Sequence, residues 1–215
     1  MEDIILNQLG YPILTVTVFL PLIGALFILF MKGARSIRWI SLLVAICTLL
    51  AALPLLTNFD KTTYKMQFVE KHAWIQSWGL EYYVGIDGIS ILFIFLTALL
   101  SILSILVSWK AIETKVKEFH LAILIMEAGM LGVFVSLDFF LFYIFWEAML
   151  IPMFLLIGVW GGPQRIYAAI KFFLYTLIGS VLMLVGIVVL YFKGGRTLDI
   201  LVLSNLNYPF ALQCW

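Results

Sequence analysis

Along most of this chain, apolar runs of eighteen or more residues recur, each long enough to cross a hydrocarbon core of about 30 Å as a helix rising about 1.5 Å per residue. Such runs leave few options. In lipid every backbone amide must find its partner within the segment, so successive apolar runs of this length specify a bundle of membrane-spanning helices. Only 12% of the residues are charged, against about a quarter in soluble domains, and 64% are apolar, so the bilayer is the solvent. The net charge is +1 with no basic tail, which gives nucleic acid nothing to hold and excludes it as a partner.

The expected fold class is all-α and polytopic, a single membrane domain over residues 1–215 with about six spans and one short interfacial helix. The spans read as 13–30, 39–57, 89–109, 119–137, 139–160 and 166–192, with an outer loop at 58–88 and an interfacial segment at 197–215. Trp74, Trp78, Tyr82 and Tyr83 suit that loop to a headgroup interface. Thr197 is a candidate N-cap for the interfacial helix. The first run is preceded by Glu2 and Asp3 and followed by Lys32, Arg35 and Arg38, the reverse of a secretory signal.

With the N-terminus outside, the inner side carries Lys32, Arg35, Arg38, Lys110, Lys115, Lys117, Arg165 and Lys171, and the outer side Lys61, Lys65, Lys71, Lys193 and Arg196. Eight against five favours that orientation, with the bilayer itself as the first partner.

Three ionisable residues fall inside the spans: Glu127, Glu147 and Lys171. Each is expensive there, by a few kcal/mol at the bilayer centre, and so marks a functional candidate. Glu147, in FYIFWEAMLIPMF, has Tyr143 one turn before it. Pro152 cannot donate to the carbonyl of Ala148, and a broken ladder beside a buried carboxyl suggests a hydrated cavity. The carboxyl is then either a neutral group bonded between helices or a proton carrier held between burial and a neighbouring cation.

Glu127 lies about ten residues before the turn at Leu137 and Asp138, and Glu147 about nine after it, so both sit roughly 15 Å below the outer surface. If they face each other they share one proton; if not, Glu127 serves a neighbouring helix or subunit. Lys171, in RIYAAIKFFLYT, lies roughly 10 Å nearer the inner side than Glu147. It either snorkels to the interface or relays an incoming proton through ordered water.

The bland readings cover the rest. Asp87 and Asp138 open helices as caps, Trp160 to Pro163 close one with a turn, and Ala128, Gly132, Gly179 and Gly186 allow close helix packing. Cys47 and Cys214 are apolar fillers, and neither His72 nor His120, placed at a helix edge, has metal-ligand spacing.

The runs FWEAMLIPMFLLIGVWGG and RIYAAIKFFLYTLIGSVLML, with the earlier VGIDGIS, resemble subunit M of proton-pumping NADH:quinone oxidoreductase, respiratory complex I. The resemblance covers the whole chain in the correct order, while sodium/proton antiporter and membrane-bound hydrogenase subunits share part of it. It implies an antiporter-like channel built from inverted repeats around discontinuous helices, a non-redox subunit of a translocase. It implies no cofactor in this chain, with NADH, FMN, iron–sulfur clusters and quinone in partner subunits, and the other membrane subunits of complex I as partners. The fifth-helix glutamate of the family matches Glu147 and the sixth-helix lysine matches Lys171; Glu127 stands on the depth argument alone.

The resemblance also places the chain in the inner (plasma) membrane of a bacterium. It further implies a seventh helix carrying a lysine partner for Glu147, so the chain reads as the first part of a longer subunit. Two other functions stay open from the residues: a subunit of an antiporter driven by ion gradients, and a structural membrane fragment.

Overall fold

The computed structural model describes residues 4–7, 9–75 and 80–210. Six long helices dominate: α1 (Ile13–Leu29), α2 (Ala34–Thr57), α3 (Ser90–Ala111), α4 (Val116–Val135), α5 (Phe139–Trp160) and α6 (Arg165–Lys193). Five of them are long and apolar enough to cross a membrane, and α1, at 17 residues, is the shorter sixth. The expected polytopic helical architecture holds, with α5 beginning and ending at the residues where its span was read.

The centre of the bundle is α4, which packs against α1, α2, α3 and α5. More than half of its apolar stretch (56%) is buried inside the protein against 11% for α6, which lies at the edge and contacts α5. The main core joins Leu14 and Val18 of α1, Ala52 and Leu55 of α2, Ile91 and Ile94 of α3 and Leu131 of α4. Its floor is a small sheet.

The segment read as a loop on the membrane is instead a β-hairpin, β2 (Met66–Ile75) and β3 (Leu80–Ile86), with β1 (Ile4–Leu6) added in parallel beside β2. Tyr83 does not face the surroundings: it is 2% exposed, packed with Val69 and Leu137, because the sheet turns that face towards the helix ends. Trp74 stays exposed and Trp78 lies outside the described residues. The turn between α4 and α5 is stitched to this sheet, Leu137 N donating to Tyr83 O at 2.9 Å.

Glu70 of β2 fastens the sheet to α1. Its carboxylate accepts from Leu14 N at 2.9 Å, Thr15 N at 3.1 Å and the Thr15 hydroxyl at 2.5 Å. A helix whose preceding residue is Pro12 has no side-chain cap of its own, and Glu70 satisfies the free amides from a distant strand. Glu70→Ala is therefore expected to destabilise the protein by about 2–3 kcal/mol, since it orphans buried donors that were bonded to a charge. Denaturant or thermal unfolding of the detergent-solubilised protein reads this; an unchanged midpoint would show that water replaces the cap at no loss.

Asp138 caps α5 as expected, accepting from Phe140 N at 2.9 Å, whereas the N-cap position of α3 is Ile89 and Asp87 lies just before it, accepting from Ile89 N at 3.1 Å and Ser90 N at 2.7 Å in the turn that leads into the helix. The short helix α7 (Ile200–Ser204) is capped by Asp199, not Thr197, whose hydroxyl instead accepts from Asp199 N. Asp199 has the better reach, two residues before the amide of Leu201.

Burial pushes the Asp138 carboxyl up to about 6 from 3.8, against its bonds from Leu141 and Phe140. A raised carboxyl destabilises the folded state once ionised: its contribution is complete below 3.8 and lost as pH rises through about 6. The loss is about 3 kcal/mol at most. Asp138→Asn, which keeps the cap without the charge, is expected to flatten the pH dependence of the unfolding midpoint between about pH 4 and pH 6.5. An equally steep dependence in the variant would place the titration elsewhere.

Candidate functional site

Two glycines fix how α4 meets α5. A Cβ on Gly129 would come within 2.5 Å of the Met149 side chain, and one on Gly132 within 2.3 Å of the Phe145 ring. Phe145 and Met149 thus point at α4. Glu147 is two residues from each, about 200° around the helix, and so turns away from α4 towards α6. There it borders a cavity of about 220 Å³ between α5 and α6, lined also by Trp146, Met153, Phe172, Thr176 and Ser180.

The cavity has room for several waters. Few polar groups surround the carboxyl. Its Oε1 is buried with no partner among the described residues, while the Tyr143 hydroxyl, one turn earlier, faces both Glu147 and the Ser180 hydroxyl. Thr176 and Ser180 donate to the carbonyls of Phe172 and Leu177 at 2.8 and 3.0 Å. Their lone pairs remain free to accept, so the arrangement can hold a proton on Glu147 or pass it to water.

Lys171 lies on the same helix as this lining, next to Phe172, but is exposed, with its Nζ 5.9 Å from the ring centre of Tyr167. That is the outer limit of a cation–π contact. It forms no ion pair with Glu147 among the described residues.

Glu127 is fully buried, and both of its oxygens lack a partner among the described residues. It stands two residues before Gly129, again about 200° away, so it points to the opposite side of α4 from α5. The two glutamates share a depth but not a face, and the structure does not bring them together. Glu127 belongs with Leu124 and Leu131 on the face of α4 that fills the bundle of α1 to α4.

Gly132 packs as expected, whereas nothing lies within 4 Å of a Cβ on Gly179 or Gly186, whose side of α6 is open. Cys47 is half-buried and Cys214 lies outside the described residues. No three His, Cys, Asp or Glu side chains gather as a metal site among the described residues. Two features escaped the sequence. Glu70 carried no signal, since its cap lies 56 residues away. His120, read at a helix edge, is fully buried, and its spacing of two turns from Glu127 did signal a common face.

Comparison with known proteins bears out the resemblance read from the sequence. A family model described as NADH:quinone oxidoreductase/Mrp antiporter, TM, matches residues 136–214. The chain is 50% identical to NADH-quinone oxidoreductase subunit M of Rhodobacter capsulatus over 205 residues, which is 93% of this chain and 39% of that protein. It is 43% identical to NADH-ubiquinone oxidoreductase chain 4 of Arabidopsis thaliana over 91% of this chain and 40% of the relative. Respiratory complex I from Thermus thermophilus with bound NADH contains a chain that superposes with a TM-score of 0.79 at 28% identity, covering 92% of this chain and 40% of that one. An archaeal membrane-bound sulfane sulfur reductase shares the fold at a TM-score of 0.76 and 21% identity, over 94% of this chain and 42% of that one. The chain thus spans about two fifths of the length of the relatives it matches.

Proposed function

We propose that this chain, half of whose residues coincide with a subunit M over nearly its whole length, forms part of a proton-translocating membrane subunit of NADH:quinone oxidoreductase. The observation that carries the reading is Glu147, a membrane-buried carboxyl beside a cavity between α5 and α6 with the hydroxyls of Tyr143, Thr176 and Ser180 around it. The subunit does no redox chemistry. Quinone reduction in partner subunits, which carry the NADH, FMN and iron–sulfur chemistry, alters the field at Glu147 and shifts its hold on a proton.

Lys171 supplies protons from the inner side, its long stem bringing a cation to the membrane surface within one helical turn of the cavity lining. The eight basic residues counted for the α1–α2, α3–α4 and α5–α6 ends make that side cytoplasmic and the sheet side external, in a bacterial inner membrane. The other membrane subunits of the complex would then cover the open face of α6.

The test is Glu147→Gln in the full-length subunit within its complex, with proton translocation and NADH:quinone turnover measured together; pumping at the normal ratio removes Glu147 from the mechanism. A second reading, a subunit of a sodium/proton antiporter, draws on the family description that covers both classes and on the shared fold of an Mrp complex at a TM-score of 0.70. Co-purification decides between them: flavin and iron–sulfur partners mean the oxidoreductase.

A further inference from the structure

The face of α4 that carries Glu127 also carries His120, and the two form a set with Arg38 of α2. His120 is fully buried; its Nδ1 lies 2.8 Å from the carbonyl of Val116 and its Nε2 has no partner among the described residues. A carbonyl accepts only, so Nδ1 bears the hydrogen and Nε2 presents a free lone pair. Arg38 is the charged neighbour of the ring; it donates to the carbonyl of Ile112 at 2.8 Å and its buried Nε is unpartnered. No charged group on a neighbouring element reaches Glu127 among the described residues.

Four unpartnered polar atoms thus line one interior strip: Arg38 Nε, His120 Nε2 and both oxygens of Glu127. A buried polar atom left bare costs about 1–3 kcal/mol, so four together call for water. The neighbouring helices offer the hydroxyls to hold it. Ser41 and Thr48 lie on the buried face of α2, and Thr97, Ser101 and Ser108 on that of α3. Ser101 is ten residues from the end of α3 and Glu127 eleven from the start of α4, about 15 Å deep in each case, and Ser41 lies between that level and the surface.

We propose that His120 passes protons between the basic side of the bundle, at Arg38, and Glu127, through a hydrated lane inside α1 to α4 that is separate from the Glu147 cavity. His120 and Glu127 are seven residues apart, about 10 Å along the helix, a gap that roughly three hydrogen-bonded waters or hydroxyls span. A water at the Arg38 side takes up a proton from the inner surface and passes one to Nε2, so that it stays neutral, while Nδ1–H keeps its bond to Val116. Nε2–H then gives a proton to the next water, and the last water protonates the Glu127 carboxylate. One proton has moved and the ring is neutral again. The proposal rests on the reading of the chain as a proton-translocating subunit.

The test follows deuterium exchange at one carboxyl by infrared spectroscopy, in the full-length subunit within its complex in lipid nanodiscs. The band of Glu127 is identified by its loss in Glu127→Gln, and that of Glu147 by its loss in Glu147→Gln. In both His120→Leu and His120→Gln, exchange at Glu127 is expected to slow about tenfold while exchange at Glu147 keeps its rate. Unchanged exchange at Glu127, equal slowing at both carboxyls, or the lack of any carboxylic band that Glu127→Gln removes would each overturn the lane. Should His120→Leu fail to assemble, His120→Gln carries the same comparison. Loss of pumping is not the readout, so failure here is distinct from failure of the role given to Glu147.

Discussion

Glu147→Gln in the full-length subunit is expected to reduce proton translocation about a hundredfold, within the 10²–10⁴ that a positioned proton-transfer group contributes. Gln has the same shape and fills the same place between Trp146 and Met153 on the cavity wall, so packing and assembly should survive. What it lacks is a titrating oxygen. Glu147→Asp keeps the acid but withdraws it by one methylene, and is expected to retain an intermediate rate, with water in the cavity bridging the added gap. Proton uptake into inverted membrane vesicles, set against NADH oxidation in the same sample, gives both numbers. If Gln and Asp variants pump alike, protonation of this side chain is not what matters.

Glu127→Leu is expected to do something less usual for a buried polar residue and raise stability, by about 1–3 kcal/mol. The carboxyl is fully buried with neither oxygen bonded to the protein among the described residues, and Leu is close to it in volume. Removing it relieves desolvation without opening a cavity. Unfolding midpoints of the solubilised protein should therefore rise in Leu and stay close to the parent in Gln. A clear fall in the Leu variant would mean that strong native bonds hold the carboxyl, and would sink the view that it is kept for a function at the expense of stability.

The helices were legible because in lipid a long apolar run has only one way to satisfy its backbone, and α5 and α6 fall within a residue of the spans read for them. α2 begins at Ala34, before its apolar stretch, since Arg35 and Arg38 extend the helix into the polar surface where hydropathy no longer marks it. The paired strands Met66–Ile75 and Leu80–Ile86 were hidden for a related reason. Their alternation is broken by the shift in register between Gln67 and Glu70, so the period of a strand does not show.

The site was half legible. Depth follows from counting residues along a helix, and it put Glu127 and Glu147 at one level. Rotation about the axis follows from what the helices pack with, and Gly129 and Gly132 set it; the same count of about 200° from each glycine separates the two carboxyls. Lys171 remained on the surface because α6 has a neighbour on one side alone among the described residues.

The bond from Glu70 to α1 has a bearing on how such a chain is made. The first helical turn waits for an oxygen that is translated 56 residues later, roughly 3–11 s at about 5–20 residues per second. During that interval α2 must be made and the strand must come to lie on the same side as the start of α1. The nascent protein therefore holds α1 provisionally, free to shift or tilt in the insertion machinery, and locks its position only when the hairpin reaches the start of the helix.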